Sequence, residues 1–193
     1  ASMTGRVTID GAPFAPDMRG EKVALVLQDP RYSLNPAMRV GDQIAEVLRL
    51  HGGLSVRVAR REAIARLESV RIRDPEQVHD RYPHQLSGGM GQRAMIAMML
   101  APNPALLIAD EPTSALDSSV AGGVLALLDA EVTRRGMGIL LISHDLDLVA
   151  NFCDRVLVMK DGEIVEALAA RDLPNARHPY TRQLLAARLR LDA

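Results

Sequence analysis

The sequence predicts an α/β protein, with a mainly parallel sheet covered by helices and a helical segment inserted into it. Three observations lead there. Short apolar runs such as "ALLIAD" (105–110) and "GILLIS" (138–143) alternate with longer helical stretches, the pattern of strands buried on both faces and joined by crossover helices. From 37 to 100 the chain reads as a helical block of its own. Hydrophobic residues make up 48% of the 193 residues, enough for one domain with a real core and an argument against disorder.

The elements follow in order. "RVTIDG" alternates apolar and polar residues and ends at Asp10-Gly11, a turn signal. "KVALVLQ" (Lys22 to Gln28) reads as a buried strand, and "DPRYSLNP" after it as a turn-rich loop. Helical spacing begins at Val40, with Ile44, Val47 and Leu48 on one face. His51-Gly52-Gly53 breaks it. "SVRVARREAIARLESVRI" is a second amphipathic helix with a basic, solvated outer face. Asp74-Pro75 opens a short helix, and a loop containing His79 and His84 follows. "LSGGMGQRAMIAMML" then runs into an apolar helix, whose Met90, Met95, Met98 and Met99 read as core filler. After the strand at 105–110, residues 118–135 form a helix, 138–143 a second strand, and Asp145 to Cys153 a short helix. "RVLVMKDGEIVEAL" is a hairpin turning at Asp161-Gly162. The tail is helical after Pro179.

Composition narrows the function classes. The net charge is −1, so no electrostatic footprint points to nucleic acid. Cys153 is the single cysteine, reads as a small buried apolar residue, and suits a reducing compartment. The histidines at 51, 79, 84, 144 and 178 show no zinc-like spacing with it. Ala1 to Gly20 has no sustained apolar core, so no signal peptide is expected. The longest uncharged stretch, Ala94 to Ala109, is broken by Pro102-Asn103-Pro104 and is shorter than the roughly 20 apolar residues a membrane span needs. Any membrane contact is expected to run through a partner.

Four stretches carry chemistry. A buried strand ends in adjacent carboxylates, Asp110 and Glu111, where ligands of open α/β sheets gather. Asp110 there can hold Mg²⁺, and Glu111 can act as general base on a water. A surface turn after an ordinary strand would carry the same dipeptide, but the attached Pro112-Thr113-Ser114-Ala115-Leu116-Asp117 argues against that. His144 lies just past the second strand. It can contact a phosphate and steady the attacking water, or simply occupy a loop. Gln28 ends the first strand, as a metal or water ligand or a loop cap. Ser87-Gly88-Gly89 opens a helix carrying Gln92 and Arg93. Glycines there expose backbone N–H groups to an anion at the positive end of the helix. A plain N-cap by Ser87 is the alternative, although Gly91 in the first turn costs up to about 1 kcal/mol against alanine.

In this order the four stretches resemble the ATP-binding subunit of ABC transporters. "LSGGM" looks like the signature, "LLIADE" like Walker B, "SALD" like the D-loop, His144 like the switch histidine and Gln28 like the Q-loop glutamine. "QDPRYSLNPAMRVGDQIAE" and "HPYTRQLLAA" look like the dipeptide, oligopeptide and nickel importer branch. The resemblance implies a P-loop-NTPase-like sheet, with residues 1–36 and 101–193 as ATPase core and 37–100 as the helical subdomain that meets the permease. It implies ATP and Mg²⁺ as ligands, with catalytic Glu111, His144 and Gln28, and with Asp110 and Gln28 at the metal. It also implies Ser87, Gly88, Gly89 and Gln92 against the ATP held by a second subunit, and Ser114 and Asp117 in the D-loop. The partners implied are that second ATPase subunit, identical or not, and a transmembrane permease. The location implied is the cytoplasmic face of the inner (plasma) membrane, as a peripheral subunit.

Two departures stand out. Nothing matches G-x-x-x-x-G-K-[ST], the phosphate-cradling Walker A loop, and the only lysines are Lys22 and Lys160. Gly91 stands where the branch carries a longer or basic side chain. The N-terminal part of the fold is therefore expected to be incomplete. An upstream segment carrying the loop is the favoured explanation, ahead of a truncated paralogue or a separate polypeptide. The function expected is an ATP-hydrolysing, energy-coupling importer subunit for peptides or nickel. The alternatives are a catalytically incomplete subunit that only completes a partner's ATP site, and a soluble non-transport ABC ATPase.

Overall fold

The computed structural model describes residues 5–9 and 11–188. Its chain divides into two compact units, 1–140 and 141–193. This division does not follow the ends of the helical segment 37–100. The long apolar helix that closes that segment packs against the first central strand as well as against its own neighbours.

The first unit opens with a small hairpin. β1 (Thr8–Ile9) pairs antiparallel with β2 (Ala12–Pro13). Gly11 has φ +79°, a conformation glycine adopts without the penalty a side chain would bring; Asp10 of the expected turn lies outside the described residues. β3 (Val23–Val26) pairs in parallel with β4 (Leu106–Asp110), Val23 opposite Leu106 and Val26 opposite Ala109. β3 is shorter than the run Lys22 to Gln28 because Gln28 already lies in a bend. β5 (Gly138–Ile142) completes the order β3-β4-β5. Among the described residues the central sheet has three strands. Leu25, Leu140 and Ile142 are 44–46% exposed, so some apolar sheet surface lies uncovered.

Among the described residues five α-helices belong to this unit. α1 (Val40–Gly52) ends on Gly53 at φ +63°, whose N–H donates to the Arg49 carbonyl. That left-handed cap explains the break at His51-Gly52-Gly53. α2 (Val56–Ser69) buries Ala59, Ala63 and Leu67 against α1. α3 (Pro75–His79) starts with proline at its first position, where the missing N–H costs nothing. α4 (Gly88–Leu100) is buried along Met95, Ile96, Ala97 and Leu100. α5 (Ser118–Arg135) starts on an Asp117 cap and stops at Gly136, φ +63°.

The second unit holds α6 (Leu146–Phe152), the β6 (Arg155–Lys160) and β7 (Glu163–Ala169) hairpin, and α7 (Pro179–Arg188). Asp161 and Gly162 have φ +52° and +85°, the two positive values a type I′ hairpin turn requires. Val156, Val158, Ala170 and Leu173 form its core, against Val149, Tyr180 and Leu184. "HPYT" is the start of α7: the Glu166 carboxylate accepts from the Arg177 and His178 N–H groups at 2.7 and 3.2 Å. Among the described residues no helix is long and apolar enough to cross a membrane.

Candidate nucleotide site

Two places in the first unit gather the expected residues. The first is the carboxyl end of the sheet. Asp110 is the last residue of β4 and is half-buried; Glu111 follows it. Gln28 and Glu111 each lie two residues beyond Val26 and Ala109, the last pair of the β3–β4 ladder. Gln28 is exposed. Glu111 has φ +47°, a left-handed conformation unusual for a side chain that is not glycine, asparagine or aspartate. Its carbonyl accepts from the Ser114 hydroxyl at 3.0 Å and the Ser114 N–H at 3.3 Å. The turn after β4 is therefore a small hydrogen-bonded unit that presents the carboxylate from a constrained backbone.

This donor set suits one kind of metal. Asp110 is a carboxylate at a strand end and Gln28 an amide in the bend two residues beyond β3; among the described residues no group of three or more His, Cys, Asp or Glu could hold an ion. Magnesium takes one or two carboxylates and completes its shell with waters and substrate phosphates, so the residues fit Mg²⁺ brought with a nucleotide.

The second place is an open cleft of ≈ 420 Å³ lined by Ser87, Gly88, Gly89, Arg93, Leu116 and Asp117. The Ser87 hydroxyl accepts from the Met90 N–H at 3.4 Å, and Asp117 accepts from the Val120 N–H at 3.0 Å. Two helix N-termini thus border one cleft. The glycines allow it: a Cβ on Gly89 would come within 2.5 Å of Val120 Cγ1, so α4 and α5 approach as closely as they do only because that position has no side chain. Gly91 is buried in the helix with Pro30 Cγ 3.4 Å from where its Cβ would be. That is an ordinary van der Waals distance, so the space beside Gly91 would also take a methyl group.

Gln92 departs from the expectation that it faces a partner's ATP. It is 0% exposed, and its Nε2 donates to the Pro112 carbonyl at 2.7 Å. It points inward, at the turn that follows Glu111. Ser114 is exposed on that turn. His144 belongs to the second unit, two residues beyond β5 and exposed. The Asp145 N–H donates to Ser143 Oγ at 3.1 Å, and the Asp145 carboxylate accepts from the Asp147 and Leu148 N–H groups, so both neighbours of His144 are pinned.

Other readings also shift. His79 is 1% exposed at the end of α3, 2.9 Å from Asp80 through Nδ1, and is no loop residue; His84 is exposed and stacks on Tyr82. Cys153 is half-buried, and burial, then the adjacent Asp154 carboxylate, raises its thiol. Met95 and Met98 are core residues. Gln43, which the sequence did not single out, is buried and staples the loop 35–38: its Oε1 accepts from the Asn35 N–H, and its Nε2 donates to the Asn35 and Met38 carbonyls. Its only signal was a polar residue on the apolar face of α1.

A family model described as ABC transporter matches residues 2–114. The chain belongs to the ABC transporter family. It is 49% identical over 171 residues to the glutathione import ATP-binding protein GsiA of Escherichia coli (strain K12), covering 88% of this chain and 27% of that protein. It is 48% identical over 170 residues to the probable peptide ABC transporter ATP-binding protein y4tR of Sinorhizobium fredii (strain NBRC 101917 / NGR234), covering 88% and 51%. This ABC transporter chain thus spans about a quarter to a half of the length of these relatives. Among solved structures it is similar to the dimeric ATP-binding cassette MJ0796 in a post-hydrolysis state with ADP and Pi, with TM-score 0.75, 29% identity, and coverage of 87% of this chain and 74% of that one. It is also similar to cbiO1 of Clostridium perfringens, with TM-score 0.73, 27% identity, and coverage of 97% and 72%.

Proposed function

We propose that this chain is part of the ATP-hydrolysing, energy-coupling subunit of an ABC importer for peptides. It would work on the cytoplasmic face of the membrane beside a permease and a second ATPase subunit. The observation that carries this reading is the pair of features in the first unit: carboxylates leaving parallel strand β4, and a glycine-lined helix N-terminus bordering a separate cleft. A peptide or glutathione cargo is supported over nickel by the names of the two curated relatives.

In this reading Glu111 is the base that takes a proton from the water attacking the γ-phosphate. Its left-handed backbone and the Ser114 bonds orient it. Asp110 and Gln28 would hold Mg²⁺, which when bound offsets the phosphate charge. His144 contacts the γ-phosphate and steadies the water. Ser87, Gly88 and Gly89 turn the N-terminus of α4 towards the ATP gripped by the other subunit, where backbone N–H groups and the helix dipole favour an anion. Ser114 and Asp117 shape the neighbouring D-loop wall. The phosphate-cradling loop is not among these 193 residues.

The test is Glu111→Gln in the full-length subunit. ATP binding should persist while kcat falls by at least about a hundredfold, the scale of a lost general base. Near-normal hydrolysis would remove Glu111 from that role.

A further inference from the structure

We propose that Gln92 is a positioning residue: from the glycine-bordered helix α4 it holds the carbonyl of Pro112 and so sets the backbone that aims Glu111. The proposal rests on Glu111 being the base.

The geometry comes from both sides. Gln92 is fully buried and donates to the Pro112 carbonyl at 2.7 Å. Pro112 directly follows Glu111, whose φ is +47°. A residue before proline is pushed toward extended backbone, so this conformation needs support from outside the dipeptide. Two grips provide it. Ser114 holds the Glu111 carbonyl from within the turn; Gln92 holds the next carbonyl from another helix. The two bonds bracket the Glu111–Pro112 peptide.

The choice of glutamine is informative. Among the described residues its Oε1 is buried with no hydrogen-bond partner. Methionine would fill a similar volume and leave no such oxygen. What the amide adds over methionine is one aimed donor to the buried Pro112 carbonyl, at the cost of a second buried oxygen. Its helix is also seated against two other functional segments. Gly91 meets Pro30, two residues beyond Gln28, and Gly89 packs on Val120 at the start of α5. A shift of the α4 N-terminus against a bound anion is thus carried, one turn along, to the peptide beside the base. Gln92 links the surface offered to one nucleotide with the turn that serves the other.

The experiment uses the full-length subunit in its assembled transporter, with Gln92→Met and Gln92→Glu compared against wild type and Glu111→Gln. For Gln92→Met the KM for ATP should stay within about twofold of wild type, with a modest fall in melting temperature because the buried Pro112 carbonyl loses its donor. Its kcat should fall about ten- to a hundredfold, the scale of a misplaced catalytic group. For Gln92→Glu, only the protonated acid can donate to the Pro112 carbonyl, so the ratio of its kcat to wild type should rise as pH falls. An unchanged kcat in Gln92→Met overturns the proposal. So does a raised KM with kcat intact, which would mean that Gln92 touches nucleotide. If Gln92→Met does not fold, a flat pH ratio in Gln92→Glu overturns it instead. A dead Glu111→Gln with a normal Gln92→Met defeats only this inference, whereas an active Glu111→Gln defeats the assignment beneath it.

Discussion

The two ends of helix α4 are built on opposite plans. The N-terminal end is glycine, capped by Ser87 and bordering an open cleft. The C-terminal end is gripped by charge. Arg135 donates to the Leu100 carbonyl at 2.8 Å and to Asn103 Oδ1, and pairs with Glu131 at 2.7 Å. Arg134 pairs with the same carboxylate, and Arg66 reaches Asn103 Oδ1 at 3.4 Å. Glu131 and Arg135 are only 6% and 8% exposed. One end is fixed by desolvated ions, the other by how closely two backbones can approach. An anion site gains from bare backbone at a helix start, and a helix that presents such a site must be anchored elsewhere.

Substitutions at the two ends can break or sharpen that contrast. The largest effect is expected from Glu131→Ala, which leaves Arg135 buried without its partner. Urea unfolding should show a loss of about 3–5 kcal/mol, with the cleft residues untouched. The loss should also depend on pH. Burial opposes the charged form of Glu131, but the Arg134 and Arg135 guanidiniums outweigh it and hold the carboxyl below its ordinary 4.5. A depressed carboxyl contributes stability above its unfolded pKa and loses it as pH falls through the folded value. The gap between wild type and variant should therefore be full above 4.5 and shrink below it. A gap that does not change with pH would mean that packing, not charge, anchors this end.

Gly89→Ala should come next. Its methyl carbon would lie 2.5 Å from Val120 Cγ1, so α4 and α5 must separate at a cost of about 1–3 kcal/mol. Thermal unfolding and ATP-driven subunit association should both report it; an unchanged melting temperature would mean that the helix start yields freely. Ser87→Ala is the smallest, about 0.5–1 kcal/mol for a lost cap, because the bond to the Met90 N–H is already long at 3.4 Å. A larger loss by the same unfolding measurement would show that the hydroxyl holds more than its own helix.

Much of the framework was legible in the residues. The predicted helix 118–135 has those limits because an Asp117 cap and Gly136 bound it. Gly53 and the Asp161-Gly162 turn stop their elements by needing positive φ. Asp110 stands at a strand end as its apolar run implied. The misreadings have a common source. His79 looked like a loop residue, yet α3 folds it into the core at 1% exposure. Gln92 follows the signature glycines in sequence, but it lies a turn along the helix, about 5 Å, beneath the Glu111–Pro112 turn. Arg66 looked like part of a solvated basic face, yet α2 sets it against the ion network beneath α4.

The sequence by itself determined which elements form, where they stop, and which residue types end the strands, because caps, turns and periodicity act over a few neighbouring residues. Tertiary structure decided what each face of those elements meets. Gln92 becomes a buried donor only because Pro112, twenty positions away, closes over it; Gly89 must be bare only because Val120 lies against it. Periodicity specifies a face but not the atoms that cover it, and those atoms decide whether a polar side chain meets solvent, a ligand or a single carbonyl.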